Sequence, residues 1–441
     1  MPVLSKIIVA SLVFGFLAIN GQAQAQVVPN EQSPRDSFKT YYENGKLKKE
    51  GAYIDGEPEG LFKFYYESGT LQEEKNFKDG KEDGIYKTYY KNGQLEIEAT
   101  FKNGKEDGPY KLYNENGKLE KDLNYKEGKK DGPYKSYYKD GQLESETTFK
   151  DDKKNGFHKL YSRSGKLQEE GNFKDDKKDG FYKLYNESGN LEKELTYKDD
   201  KKDGPYKTYY ENGQSEIEAI FKNEKEDGLY KLYNEDGKLQ EEGNFKDGKK
   251  EGLYSTYYEN EQLGSEMTFK DGKEDGPFAT YYENKKLQKE GVYKDGKLEG
   301  SFKLYYESGK LREQRNFRDG KEDGLYLRYN EDGQLESEMT FKDGKPEGSF
   351  KTYYGNGQLK QETVSRDDKL EGLFKIYYES GKLQKEGEYK NDKLEGLFKI
   401  YYESGKLKEE GSCRDGKLVG RPKRYKEDGT IINLPIPSLA L

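Results

Sequence analysis

The chain has no tryptophan, one cysteine and one histidine in 441 residues, and each shortage closes off a class of function. A lone Cys413 cannot form an intrachain disulfide, so cysteine usage leaves the redox compartment unread. His158 has no second histidine and no nearby cysteine with which to hold a metal or tune a base, so it reads as a tolerated substitution. A chain without Trp is a poor platform for stacking sugar rings. No Gly-Lys-Ser/Thr occurs and no helix follows the glycines, which argues against a phosphate-binding loop. Net charge is also nearly absent: 78 basic residues against 86 acidic leave −8, spread along the chain, so no basic face invites nucleic acid. Counting Gly and leaving out Tyr, the apolar share is about 34%, against ~45–50% in ordinary globular chains, so a thick core is not expected.

What the chain has is aromatic residues, 41 Tyr and 21 Phe, placed with a fixed period. That periodic apolar material separates it from the disordered chains its charge and low hydrophobicity would otherwise suggest. Residues 1–25 precede the pattern. They carry one Lys, Lys6, an apolar run from Ile7 to Ile19 and an Ala23-Gln24-Ala25 cleavage site, and read as a secretory signal peptide. The run is shorter than the ~20 residues that span a bilayer. The expected location is therefore the periplasm, the cell envelope or the exterior. Residues 26–35 form a short polar linker.

From residue 36 to 431 one 24-residue unit recurs without insertion. Its first Tyr falls at 41, 65, 89 and every 24 residues on to 425, giving about 17 copies, sixteen of them opened by a Gly from Gly60 to Gly420. Counting that Gly as position 0, an aromatic stands at 2, Lys at 3, Tyr at 5 and often 6, Asn-Gly at 8 and 9, Leu at 11, Glu at 14, an aromatic at 17, and Asp-Gly or Asp-Asp near 19 and 20. Short aromatic or β-branched runs divided by Asn-Gly and Asp-Gly read as β-hairpins with turns that need positive φ. No helical period is sustained. The fold expected is all-β: an elongated array of stacked antiparallel hairpins, two strands per copy, in one twisted or curved sheet roughly 160 Å long at ~4.8 Å per strand. Residues 432–441, after Ile431, contain Pro435 and Pro437 and read as a cap that blunts the last edge, or as a dimer contact.

Register within the copy Gly84–Asp107 depends on the Asn92-Gly93 turn. A two-residue loop sets Tyr90 opposite Leu95, puts Tyr86 and Phe101 on one face and Lys87 opposite Glu98 on the other, and leaves Tyr89 on the polar face; Lys63–Glu74 and Lys375–Glu386 repeat the charge pair. A three-residue loop with Gly93 in a bulge instead pairs Tyr89 with Leu95. Equivalent tyrosines two strands apart, about 9.6 Å, need filling by Leu95, Leu119, Leu143 and the aromatics Phe101, Tyr125, Phe149 of the intervening strands.

Candidate chemistry is sparse. The run Asp175–Gly180 imitates the start of a calcium loop, but Lys177 takes the place of an acidic ligand and Asn186 that of the bidentate Glu. We expect no catalytic residue, no cofactor and no metal. The Tyr at position 5 is the one candidate for interaction, as Tyr89, Tyr113, Tyr137, Tyr161, Tyr185, Tyr209, Tyr233 and Tyr257, because Tyr offers large amphipathic area at low entropy cost. Packing is the plainer role for the same residues.

The opening Gly, aromatic-Lys, Tyr-Tyr-x-Asn-Gly, Leu and closing aromatic-Lys-Asp-Gly-Lys resemble the bacterial variant of the MORN repeat, as in GLYKLYNEDGKLQEEGNFKDGKKE at Gly228–Glu251. Proteins of this kind are commonly grouped with YwqK-like antitoxins of toxin–antitoxin modules. The resemblance implies stacked hairpins that bind a protein partner, such as a toxin, or a membrane surface; the residues themselves offer no nucleophile–base pair, metal cluster or cofactor loop, so we expect no enzyme. An envelope scaffold is the alternative role, and the export signal departs from a cytoplasmic antitoxin.

Overall fold

The computed structural model describes residues 35–432. The expected signal peptide, and all but one residue each of the expected linker and tail, lie outside the described residues. The chain divides into two compact units, 1–107 and 108–441. Among the described residues every regular element is a β-strand, and no helix is long and apolar enough to cross a membrane. In the first unit the strands Asp36–Tyr41, Leu47–Ile54, Gly60–Tyr65, Leu71–Lys78, Lys81–Tyr89 and Leu95–Lys102 pair antiparallel in chain order. In the second unit the same meander runs from Gly108 opposite Tyr125 to Glu410 opposite Lys423.

Each copy is an outgoing strand, positions −3 to 5, and a return strand, positions 11 to 18. The turn between them is not the type I′ turn that Asn-Gly suggests. Gly93 N–H donates to Tyr90 O and Tyr90 N–H to Gln94 O, both at 2.8 Å, and only Gly93 has positive φ, +86°. This is the three-residue alternative, and it sets Tyr89 opposite Leu95. A second irregularity follows at once, between Thr88 and Tyr89, and restores Lys87 opposite Glu98. Both sequence-derived pairings therefore hold in one hairpin, because the second bulge cancels the slip of the first. The turns between copies are of type I′ as expected: Asn103 and Gly104 have φ of 51° and 79°.

The outgoing strand bends at its opening glycine. Three residues, Asp83, Gly84 and Ile85, oppose the single Asn76, and Gly84 has φ +115°. A Cβ there would come within 3.2 Å of the Asn76 Cβ. Asn76 Nδ2 donates to the Ile85 carbonyl that this bulge releases, at 3.2 Å. In five copies the bend interrupts the strand, as between Glu57–Pro58 and Gly60–Tyr65, so strand segments number 38. Complete hairpins number sixteen among the described residues, and the return strand of the seventeenth copy would begin where the described residues end. The last copy keeps only Lys423–Arg424 and a bridge between Tyr425 and Ile431, with no return strand among the described residues to pair with.

One face of the hairpins carries the rings. Positions 2 and 17 of the same copy meet edge-on or tilted, Tyr86 with Phe101 at 5.3 Å and Tyr182 with Tyr197 at 5.5 Å between centroids. This corrects the expected filling of a Tyr89-type layer: the aromatics at 17 pack on position 2, not on position 5. Position 15 decides how deep the ring sinks. Where it is Gly171 or Gly387, Tyr182 and Phe374 lie flat on the backbone and are 1% and 2% exposed. A Cβ on Gly171 would stand 2.1 Å from Tyr182 Cδ2. Where position 15 is Ala99, Leu123 or Leu195, that residue is itself buried instead. His158 sits in the ring position, buried, with Nδ1 2.7 Å from Thr147 Oγ1 and its ring 5.4 Å from Phe173, which accounts for the substitution by packing. Cys413 is likewise buried in an aromatic position, opposite Gly396.

Candidate interaction face

The opposite face carries positions 1, 3, 5, 14 and 16. Positions 3 and 14 alternate along it as a row of ammonium and carboxylate groups: Lys63 lies 3.2 Å from Glu74, Lys87 3.0 Å from Glu98, Lys183 2.8 Å from Glu194. A lysine can turn either way along the row. Lys375 is opposite Glu386 in register, yet its Nζ lies 3.7 Å from Glu362 of the preceding copy.

The candidate tyrosines at position 5 stand on this face, half-buried beside the row. The Tyr89 hydroxyl donates to Glu74 at 2.9 Å, Tyr185 to Glu170 at 2.8 Å, Tyr209 to Glu194 at 2.9 Å and Tyr257 to Glu242 at 2.6 Å, each reaching the copy before its own. Tyr161 reaches Glu146 more loosely, at 3.4 Å. Burial, then the carboxylate partner, pushes the Tyr89, Tyr185 and Tyr209 phenols up to about 12. For Tyr257 the Glu242 bond is the larger cause of a rise to about 12. Tyr233 is raised chiefly by burial, with the Glu218 charge next. For Tyr137 the equivalent position 14 of the preceding copy is the shorter Asp122 in place of a Glu, and Tyr113 shares the same half-buried setting. Tyr89 in the first unit and the other seven in the second thus stand on the same face of their own hairpins, and the hydroxyls of Tyr89, Tyr161, Tyr185, Tyr209 and Tyr257 turn toward the preceding copy.

The second Tyr, at position 6, reaches the other way. Tyr66 donates to the Tyr89 carbonyl at 2.8 Å, Tyr138 to the Tyr161 carbonyl at 2.7 Å and Tyr378 to the Tyr401 carbonyl at 2.8 Å. The accepting carbonyl belongs to the residue at the register shift, where regular ladder pairing is interrupted. The turns between copies are fastened similarly. In the Asp175–Gly180 run Asp176 is a turn residue: it has φ +69° and accepts the Lys154 backbone N–H at 2.8 Å. Its carboxylate offsets the strain of a non-glycine turn residue and fastens the preceding copy.

Sequence reasoning missed the residues at position 1. Leu61 and Ile85 in the first unit, and Leu253, Leu373 and Leu397 in the second, are 45–73% exposed despite their apolar side chains. Position 1 pairs with position 16, and between them and the charge row lie recurrent grooves. One in the first unit, about 580 Å³, is lined by Leu61, Lys39, Glu50 and Lys63. Two in the second, about 430 and 350 Å³, have Leu253 and Leu373 on their walls. Each crosses a copy with Gly at position 15: Gly51, Gly291 and Gly387. The signal was available, since Leu, Ile or Phe just after a kinking Gly has no reason to recur in a solvated turn.

No curated protein sequence matches this chain. Among solved structures, similarity extends to the complex described as TcdB2-TccC3-Cdc42, at 12% identity and a TM-score of 0.16. It extends also to the Photorhabdus luminescens Tc holotoxin pore with the TccC3-D651A mutation, at 11% and 0.15. Each alignment covers 90% of this chain, which spans only 26% and 27% of those chains. The MORN repeat variant profile matches sixteen segments from 37–55 and 58–79 through 370–391 and 394–412, one for each complete hairpin. With the period, the hairpin and the turn chemistry all repeated across those segments, this chain belongs to the MORN repeat variant family.

Proposed function

We propose that the chain is a non-enzymatic binding scaffold whose charge-row face docks a protein partner. The observation that carries this reading is the recurrence of one groove type, with an exposed apolar wall at position 1 and a Lys–Glu row beside it, in both units. Exposed apolar side chains aligned along a face favour a protein partner over solvent. The signal-like residues 1–25 support a binding event outside the cytoplasm, and the antitoxin or immunity form of the reading follows the family resemblance, with an exported toxin as the partner. The test is capture from periplasmic extract or culture supernatant with the full chain and a Leu373→Glu/Leu397→Glu variant. A partner held by the wild type and lost by the variant is the expected result. No specific partner on the wild type, with recovery on anionic vesicles that fades at high salt, would replace this reading with the envelope-scaffold one.

A further inference from the structure

The charge row breaks in two places: Leu327 stands at position 3 beside Gln314, with no carboxylate between them, and a longer break precedes it. Position 3 is Lys in most copies, but Ser255 and Ala279 stand there in two successive ones. Glu266 lies between them, opposite Ser255 on one side and Ala279 on the other. Among the described residues it is the position-14 carboxylate with no lysine on either flank. Its one recorded hydrogen bond is a long one, from the Tyr281 hydroxyl at 3.4 Å. The next carboxylate shows what is missing: Glu290 has Lys303 at 3.1 Å and the Tyr305 hydroxyl at 2.7 Å.

A groove of about 430 Å³ lies here, walled by Leu253, Thr268, Pro277, Ala279 and Val292, with Glu266 on its lining and the paired Lys303 and Glu290 farther along it. Leu253 is 52% and Val292 42% exposed. In the comparable groove beside Leu373 the position-14 carboxylate, Glu386, keeps Lys375 and Lys399 on its two flanks. Both turns that close these two altered copies depart from the pattern as well, with Glu261 and Lys285 at φ +64° and +69° where other copies have Gly.

We propose that this groove is a docking site for a peptide segment of a protein partner that carries an arginine or lysine flanked by an apolar residue. The cation takes the place of the two absent lysines against Glu266, and the apolar neighbours lie on Leu253, Pro277 and Val292. Charge complementarity commits the site to a cationic occupant, because a carboxylate in a partly apolar groove gains most from a partner that both neutralises it and covers the walls. The proposal rests on the scaffold reading above and names which partner chemistry one copy selects.

The full chain is titrated with acetyl-Leu-Arg-Leu-amide and, separately, acetyl-Leu-Gln-Leu-amide, with saturation-transfer NMR on the leucine methyl groups as readout. The arginine peptide is expected to saturate more strongly, by roughly fivefold at equal concentration, the scale of one exposed charge pair. Ala279→Lys and Glu266→Gln should each remove that advantage. Ser255→Lys is the second lysine variant, and both lysine variants restore the residue that most copies carry, so folding is preserved. Equal saturation by the two peptides, or an advantage that survives in Ala279→Lys, would overturn the proposal. A protein partner captured equally by wild type and Ala279→Lys overturns it while leaving the scaffold reading intact. A wild type that captures no partner but prefers the arginine peptide supports the groove and sinks the wider reading.

Discussion

The two faces of each hairpin solve the same problem, holding one copy to the next, with opposite physics. On the ring face, Tyr182 lies on the bare backbone of Gly171, and contact is dispersion and burial with no room for an added carbon. On the charge-row face, Tyr185 meets Glu170 through a hydrogen bond of 2.8 Å, and Glu170 lies 3.7 Å from Lys159. The ring face can vary in depth but must stay filled, as the exchange of Gly171 for Leu195 one copy later demonstrates. The other can lose members singly, as at Ser255 and Ala279, without loss of register. Single positions weigh most on the ring face, whereas the charge-row face holds collectively and carries the freedom to vary.

Four experiments test that division, in decreasing order of expected effect. The first is collective and acts on the charge-row face. Phenols such as Tyr65, Tyr305 and Tyr401 are raised to about 12, by burial first and then by their carboxylates, against an unfolded value near ~10. A raised folded value means the stabilisation is complete below pH ~10 and is lost as pH climbs toward 12. Lys135, Lys183 and Lys207 are raised too, mainly by their Glu partners, and act in the same direction. Melting temperature followed from pH 8 to 12, with tyrosinate absorbance beside it, should stay level and then fall together with phenol ionisation. A melting temperature level through pH 12 would mean the row holds nothing.

On the ring face, Tyr182→Ala removes a ring that is 1% exposed and should cost ~3–5 kcal/mol locally. Amide hydrogen exchange in the strands Lys177–Tyr185 and Leu191–Lys198 is the readout, and protection equal to wild type would contradict the division. Tyr209→Phe deletes one phenol bond but leaves Glu194 its Lys183 contact at 2.8 Å, so only ~0.5–1.5 kcal/mol should be lost. The same exchange measurement ranks the two faces directly. The smallest change has the opposite sign: Glu261→Gly relieves a left-handed φ of +64° and should raise stability by ~1 kcal/mol, seen as a higher melting temperature.

Much of this was legible because a period of 24 repeats every clue. The hairpins, the type I′ turn at Asn103-Gly104 and the Lys87–Glu98 pairing all follow from spacing and turn chemistry. The face of Tyr89 was not, because two opposite register shifts, at Gly93 and at Thr88, leave no net trace in the residue count. The kink at Gly84 was hidden for a related reason: three residues bulge against Asn76 inside a run that reads as one continuous strand. The Glu266 groove was visible in principle. Reading down position 3 instead of along the chain exposes Ser255 and Ala279, whereas attention to the tyrosine column passes over them.

The second tyrosine sets how the array should respond to force. Tyr378 ties its turn to the carbonyl of Tyr401, and Tyr401 ties back to Glu386, so each joint is a two-way clasp between immediate neighbours alone. Load applied at the two ends therefore has no distant contact across which to spread. Such a chain should lengthen in quanta, one clasp at a time, each releasing 24 residues, on the order of 80 Å of slack. Where Asn186, Asn234 or Asn330 stands in place of the tyrosine, the side chain turns inward to its own loop, accepting the N–H of Asn190, Lys238 or Gln334. Those joints lack the forward half of the clasp, and a stretched molecule should yield at them first.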